Sequence, residues 1–439
     1  MDNLILAWIT LSCVILPVTG SSSCPSNICE CRELEIASRM ETEVRCNTGS
    51  NRGYVPVFRS FEPFISSLYL SGVELTVLGN GSFRELSGVR EMYLYDNYLI
   101  RIESQAFSNI DHTIETLDLQ HNKLRNLDFL TTHDFPRLRQ LLLRDNELVS
   151  ISPESFVLVP ALENLNLDDN HLQGKLNFLQ HPSLKGLFHL NLDHNDLENI
   201  DPEDFLYLTN LKRLLLSRNQ LRSIDFLRHP IFRQLYGFGA AHNLLETVEP
   251  SIFADKHLLK WIELSNNLLT NVTFLASCGL RRLEEIYLSA NRIKSLPEKS
   301  FQATTTLIIV DVSRNELETL PRCALQPFYT QLFMFDISQN PMQCNCQIAW
   351  LQDKRRDIHT EKQSQCANLE FLSTDEYEID DCEALIPCSP TSGCSKYSVG
   401  VLENDQQEPY ETTEMTSSDA STKTVATYMV TFLVTLCLT

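Results

Sequence analysis

The chain has 439 residues, a formal net charge of −21 at pH 7 and a hydrophobic share of 43%. Those apolar residues suffice for a large core, while the acidic balance excludes nucleic acid and anionic membrane surfaces as partners, because both would be repelled. The length alone suggests two or three domains, an inference that lapses for chains built by adding repeats.

The first element is an apolar stretch from Leu4 to Pro17, followed by the small residues Val18, Thr19 and Gly20. It predicts a secretory signal over residues 1–20, cleaved before Ser21, although Asp2 makes its start atypical. The stretch is too short for an uncleaved membrane span. A cysteine cluster follows, Cys24, Cys29, Cys31 and Cys46, within an expected cap over residues 21–60. A second cluster stands far downstream: Cys344, Cys346, Cys366, Cys382, Cys388 and Cys394. Even-numbered clusters in a secreted chain favour disulfides over zinc sites.

Between the clusters, over residues 61–340, one pattern recurs: apolar-x-x-apolar-x-apolar-x-x-Asn-x-apolar. Leu138, Leu141, Leu143, Asn146 and Leu148 form one copy, and Leu211, Leu214, Leu216, Asn219 and Leu221 another. The asparagines are Asn97, Asn122, Asn146, Asn170, Asn195, Asn219, Asn243, Asn267, Asn291, Asn315 and Asn340, at intervals of 24 or 25 residues. A degenerate first coil, Ile65, Leu68 and Leu70 with Val73 in the asparagine place, makes about twelve. In each coil Leu-x-Leu predicts a short strand whose alternate side chains enter the core. The asparagine amide is expected to satisfy backbone groups where the chain turns away, since a buried unpaired amide costs a few kcal/mol. A single coil cannot bury its own apolar face, so the coils must stack and the ends need caps.

A second period runs inside the first. Phe107, Phe156, Phe205, Phe253 and Phe301 stand ten residues after their asparagines, whereas Phe129, Phe178, Phe226 and Phe274 stand seven or eight after theirs. This predicts a two-coil module of about 48 residues with a phenylalanine spine behind the sheet. His133, His181 and His229 follow the same spacing. Two coils span roughly 10 Å, whereas zinc holds its nitrogens at about 2 Å, so these histidines predict a structural role beside Pro182 and Pro230. By the same ruler Cys278 and Cys323, two coils apart, exceed the roughly 7 Å reach of a disulfide. They are expected to be unpaired and buried, the alternative being a bridge across a distorted loop.

Three side chains of each strand face the concave side. In the early coils these include Tyr69, Tyr93 and Tyr95; in the middle coils they are polar and acidic, among them Asp118, Asp168 and Asp193. The coil of Asn243 instead presents Gly237, Gly239 and Ala241, a strand expected to lack side-chain cover. Arg213 and Leu215 flank it on one side, Trp261 and Glu263 on the other, with Tyr287 beyond. A bare floor beside Trp and Arg has the composition of a binding hot spot, so these eight residues are the expected partner site, the alternative being a drifted repeat with a harmless gap. Asn80 and Asn271 open glycosylation sequons placed after their strands.

Residues 341–394 form the expected second cap. Residues 395–424 are rich in Glu, Asp, Ser and Thr and predict a disordered stalk. The apolar run 425–439 has about 15 residues where a spanning helix needs about 20. Small residues, a polar spacer and that run stand in the order of a GPI signal, with Ser417, Ser418 or Asp419 as anchor site. The competing reading is a short single-span helix.

On these cysteines, on Asn340, Pro341, Met342, Trp350 and Leu351, and on the asparagine repeat, residues 24–394 resemble the extracellular leucine-rich-repeat family with cysteine-rich caps. The resemblance implies an α/β repeat solenoid with a curved parallel sheet on the concave face and irregular or 3-10 segments on the convex face. It also implies pairings Cys344–Cys366 and Cys346–Cys382, with Cys388–Cys394 additional. Lipid-anchored members of the Nogo-receptor and connectin/chaoptin types are similar. The implied function is cell-surface adhesion or recognition through the concave face, the alternative an innate-immune recognition or co-receptor role. The implied partner is an extracellular protein or cell-surface co-receptor, homophilic or heterophilic, with the chain held outside the membrane by a lipid anchor, or else single-pass or secreted. No Ser/His/Asp order, HExxH, phosphate loop or paired carboxylates stand on a cleft-forming segment, so neither an enzyme nor a metal or cofactor is expected.

Overall fold

The computed structural model describes residues 29–36, 39–46, 53, 55, 65–325 and 331–343. The expected signal, stalk, anchor site and apolar tail, together with Cys24 and the six downstream cysteines, lie outside the described residues. The chain divides into units 1–394 and 395–439, and every described residue belongs to the first.

Strands Cys29–Ile36 and Arg39–Cys46 pair antiparallel, and a Cys29–Cys46 disulfide joins their ends. The second of them pairs parallel with Ile65–Tyr69, so this hairpin covers the first edge of the sheet. Twelve short parallel strands then follow in strict chain order, from Ile65–Tyr69 to Met334–Asp336. Register is kept from coil to coil: His189, Arg213, Gly237 and Trp261 are successive partners, as are Asn191, Leu215, Gly239 and Glu263. The apolar residue at the centre of each strand, such as Leu117, Leu141, Leu165, Leu190 and Leu214, is buried. These side chains alternate with the concave-facing ones as strand geometry demands. The convex side carries 3-10 turns, among them Asp128–Thr131, Pro202–Phe205 and Pro250–Phe253.

All eleven ladder asparagines are buried. Asn219 is typical. Its Nδ2 donates to the carbonyls of Leu192, Leu216 and Ser217 at 2.9, 3.1 and 3.2 Å, and its Oδ1 accepts the Leu197 N–H at 3.0 Å. One side chain therefore joins two coils where no sheet bond is available. To bring the asparagine inward, the residue before it adopts a left-handed conformation, from Asp96 at φ 55° through His194 at 48° to Gln339 at 58°. Asp, Asn and His tolerate this region best, which accounts for many of the residue types in that column.

In three modules the phenylalanines pack in pairs across the two coils, and in a fourth Phe205 and Phe226 both meet Phe232. Phe107 and Phe129 have centroids 5.6 Å apart, Phe156 and Phe178 5.8 Å, and Phe253 and Phe274 5.6 Å. The periodic histidines act locally. His181 and His229 cap the 3-10 helices Pro182–Gly186 and Pro230–Gln234 by accepting the N–H of Ser183 and of Ile231. His133 lies 3.1 Å from the Asp111 carboxylate.

Cys278 and Cys323 require a correction: both are in disulfides, Cys278 is exposed and Cys323 half-buried. The strand-spacing argument does not reach them, because neither lies in the sheet. Cys278 opens the 3-10 helix Cys278–Leu280, and Cys323 lies in the helix Arg322–Leu325. Segments off the sheet are free of its fixed spacing.

Candidate protein-binding surface on the concave face

The parallel register brings seven of the eight expected site residues onto four neighbouring strands, with Ala241 just beyond the end of the glycine strand and Glu285 added. Arg213, Gly237, Trp261 and Glu285 form one row, and Leu215, Gly239, Glu263 and Tyr287 the next. The glycine strand is not bare, which corrects the sequence expectation. The Trp261 indole leans across it: a Cβ on Gly237 would lie 3.3 Å from Trp261 Cε3, and one on Gly239 only 3.0 Å from Trp261 Cη2. Gly237 and Gly239 are buried as a result, and Ala241 is buried as well. The glycines are thus the seat of the tryptophan, and any larger residue at 239 would lift the ring. On the far side the Arg213 guanidinium carbon stands 5.4 Å from the Trp261 ring centroid, within cation–π range.

The acidic and amide side chains of the second row are less free than their composition suggests. Each turns back onto the N–H two residues ahead, where the strand ends. Asp118 accepts from Gln120 at 3.0 Å, Asn166 from Asp168 at 3.0 Å, Asn191 from Asp193 at 2.9 Å and Glu263 from Ser265 at 2.8 Å. Burial pushes the carboxyls of Asp118 and Glu263 upward. Leu215 and Gly239 have no such acceptor. Their coils are served from outside: the Ser217 N–H donates to Asp193 Oδ1 at 2.5 Å, and the Ala241 N–H to Ser217 Oγ at 3.3 Å. Asp193 is correspondingly desolvated, and its carboxyl is pushed up to about 7.

In the first row, three consecutive residues hold buried polar atoms with no hydrogen-bond partner: Asn164 Oδ1, His189 Nε2 and Arg213 Nε. Burial, aided by the Arg213 charge, lowers the His189 imidazole to about 4, so the ring is neutral at physiological pH. The early coils carry another aromatic group. Tyr69 and Tyr93 stack at 4.4 Å, Arg45 lies 4.2 Å over Tyr69, and Tyr95 meets Tyr93 edge-on.

Elsewhere an open groove of about 730 Å³ runs beside Lys175, Asp196, Glu198, Asp201 and Asp204. Its most buried carboxylate, Asp204, accepts the Leu176 N–H and the Gln180 amide, each at 2.9 Å, which is a structural duty. Among the described residues no group of three His, Cys, Asp or Glu is placed to hold a metal ion, and no helix is long and apolar enough to cross a membrane. Of the two sequons, Asn80 is exposed with its Oδ1 accepting the Gln105 N–H at 2.9 Å, and Asn271 accepts both the N–H and the hydroxyl of Thr273.

Sequence reasoning missed the second-row caps, the Asp193 relay and the rim before each strand. The rim reads Phe188, Lys212, Tyr236 and Lys260 beside the glycine strand, with Phe188 and Tyr236 more than two-fifths exposed. All four share one phase of the repeat, so the alternation was visible to a column reading extended by one residue.

Three stretches, residues 112–172, 241–293 and 281–342, match the Leucine rich repeat family. The chain is 28% identical over 136 residues to Leucine-rich repeat-containing protein 3B of Homo sapiens, which takes in 28% of this chain and 49% of the relative. It is 29% identical over 125 residues to Leucine-rich repeat-containing protein 3 of Danio rerio, taking in 28% and 42%. The chain thus spans about half the length of the curated relatives it matches. Among solved structures it is similar to an internalin of Listeria monocytogenes, with TM-score 0.55, 21% identity and coverage of 66% of this chain and 77% of that one. It is also similar to a chain of the octameric complex of Latrophilin 3, Unc5D and FLRT2 (TM-score 0.53, 19% identity, 82% and 100% covered). A chain of the Drosophila Toll–Spatzle complex is similar at TM-score 0.51 and 21% identity, with 73% and 48% covered. The fold is therefore the leucine-rich-repeat solenoid.

Proposed function

We propose that this is a cell-surface recognition or adhesion protein that binds an extracellular protein through the concave sheet. The observation that carries this reading is the Trp261 ring laid over two glycines beside Arg213, at the middle of a broad, continuous face. Buried aromatic and arginine anchors within a polar surround are the usual energetic centre of a protein interface. The acidic surface charge then serves discrimination among partners more than affinity. The similar Toll chain was solved in complex with Spatzle and the similar FLRT2 chain with Latrophilin 3 and Unc5D, which fits a binding role for this fold. In this reading the apolar tail directs a lipid anchor at Ser417, Ser418 or Asp419, and Asn80 and Asn271 carry glycans away from the binding face.

The test is a screen of the chain against an array of extracellular domains, itself included, repeated with Trp261→Ala. Binding should fall at least tenfold with the melting temperature nearly unchanged. Equal loss of binding and melting temperature, or unaltered binding, would overturn the site. Release from cells by a phosphatidylinositol-specific phospholipase tests the anchor; retention in the membrane would sink it.

A further inference from the structure

The rim beside the site carries chemistry that the concave floor does not. Phe188, Lys212, Tyr236 and Lys260 are joined neighbour to neighbour: the N–H of Lys212 donates to Phe188 O at 2.9 Å, that of Tyr236 to Lys212 O at 2.8 Å, and that of Lys260 to Tyr236 O at 2.8 Å. Phe188 is 41% exposed and Tyr236 43%. Lys260 is committed to Glu284 at 2.8 Å, whereas Lys212 is exposed and has no ion-pair partner among the described residues. One residue inward from Lys212 stands Arg213, whose neighbour His189 is uncharged and whose Nε finds no acceptor. Two cations without a salt-bridge partner among the described residues therefore adjoin in sequence between three aromatic side chains, Phe188, Tyr236 and Trp261. Acidic groups lie toward one end, at Glu263 and Glu285, while at the other end Glu163 and Asp168 are ion-paired with Arg139 and Arg144 and Asp193 stands beside Arg213.

An unpaired guanidinium held beside an aromatic ring, partly out of water, selects a carboxylate, whose two oxygens match its fork. The adjoining rings reward apolar neighbours of that carboxylate. The acidic end favours basic groups further out, where like charges would repel. We propose that this island receives a segment of a partner protein in which one Glu or Asp stands between apolar side chains, with a basic residue beside them. The proposal rests on the protein-binding reading of the concave face and adds the partner's chemistry and the rim residues.

The test uses the full chain and three synthetic peptides sharing the core Lys-Leu-x-Phe-Lys, with Glu, Gln or Lys at x. The Glu peptide should bind at least tenfold more tightly than the other two, and less tightly as salt is raised. Lys212→Glu, an exposed change that leaves folding intact, and Arg213→Gln should each reduce it to the level of the Gln peptide, whereas Lys294→Glu, on another face, should not. Equal binding of the Glu and Gln peptides, no binding of any, or indifference to Lys212→Glu would overturn the proposal. If all three peptides bind equally and Trp261→Ala abolishes them, the concave site stands and only the carboxylate chemistry falls.

Discussion

Replacing Asp193 by Asn separates the charge of this residue from its hydrogen bond. Asp193 Oδ1 accepts the Ser217 N–H at 2.5 Å, a duty that an amide oxygen can perform equally. What the substitution removes is a desolvated carboxylate, raised from 3.8 to about 7 chiefly by burial, with Asp168 adding to the shift and Arg213 opposing it. The sign follows from linkage. A folded carboxyl with a raised value holds its proton over the pH range in which the unfolded chain has lost it, so stability falls as pH rises from about 4 to about 7. Above 7 the loss is complete and constant. Three pH units correspond to about 4 kcal/mol at most, and relaxation of the site brings the expectation to roughly 2 kcal/mol. The Asn variant, which resembles the protonated acid at every pH, should match the parent near pH 4 and exceed it by that amount at pH 8. Urea unfolding followed by tryptophan fluorescence at both pH values measures the gap. A gap independent of pH, or a parent more stable than the variant at pH 8, would refute the reasoning and show that the charge itself strengthens the bond.

Three further substitutions probe the frame. Gly279→Ala would set a Cβ 1.7 Å from the Phe253 carbonyl oxygen, which no side-chain adjustment relieves, so a loss of about 3 kcal/mol or more in urea unfolding is expected. Ala290→Gly should stabilise by about 0.5 kcal/mol, because Ala290 is held at φ 53°, where a Cβ is strained; a loss of stability would argue against strain in that column. Asn219→Ala strips the Leu197 N–H and three carbonyls of their partner. It should cost about 3 kcal/mol and speed hydrogen exchange at the Leu197 amide, with unchanged exchange as the contrary result.

The repeat was legible because one physical need recurs every coil. Leucine at the strand centre and asparagine at the turn satisfy the same burial and hydrogen-bond demands eleven times, so chance variation at one coil cannot hide them. The histidines at 181 and 229 were legible for the same reason. The disulfides of Cys278 and Cys323 were not, since the spacing that governs strands does not bind segments outside the sheet. Nor was the position of Trp261. Gly237 and Gly239 announced a vacancy, but a vacancy and a seat for a neighbouring ring have the same sequence, and only side-chain direction distinguishes them. The capping by Asp118, Asn166 and Glu263 was hidden similarly: a carboxylate facing solvent and one folded back on its own backbone occupy the same column.

The glycine strand and the orphaned polar atoms belong together. Half of the twelve strand ends are closed by their own side chain, at Asp118, Asn166, Asn191, Glu263, Asp311 and Asp336. At Leu215 and Gly239 the closing side chain is missing, and the strand end depends on Asp193 and Ser217 of preceding coils. The three orphaned concave atoms, on Asn164, His189 and Arg213, fall on the three strands leading to the glycine strand, and each is destabilising by about 1–3 kcal/mol. Folding alone would be better served by an asparagine or aspartate at 239, which would cap Ala241 and displace Trp261. A chain that keeps glycine there retains a flat indole beside an unpaired guanidinium at the expense of several local bonds. Three partnerless polar atoms on adjoining concave strands have a physical rationale when a partner supplies the missing bonds on docking. The Asp variant at Gly239 should accordingly bind more weakly, at least tenfold in the extracellular-domain array, while unfolding at equal or higher urea. Retained binding in a stabilised variant would remove that rationale.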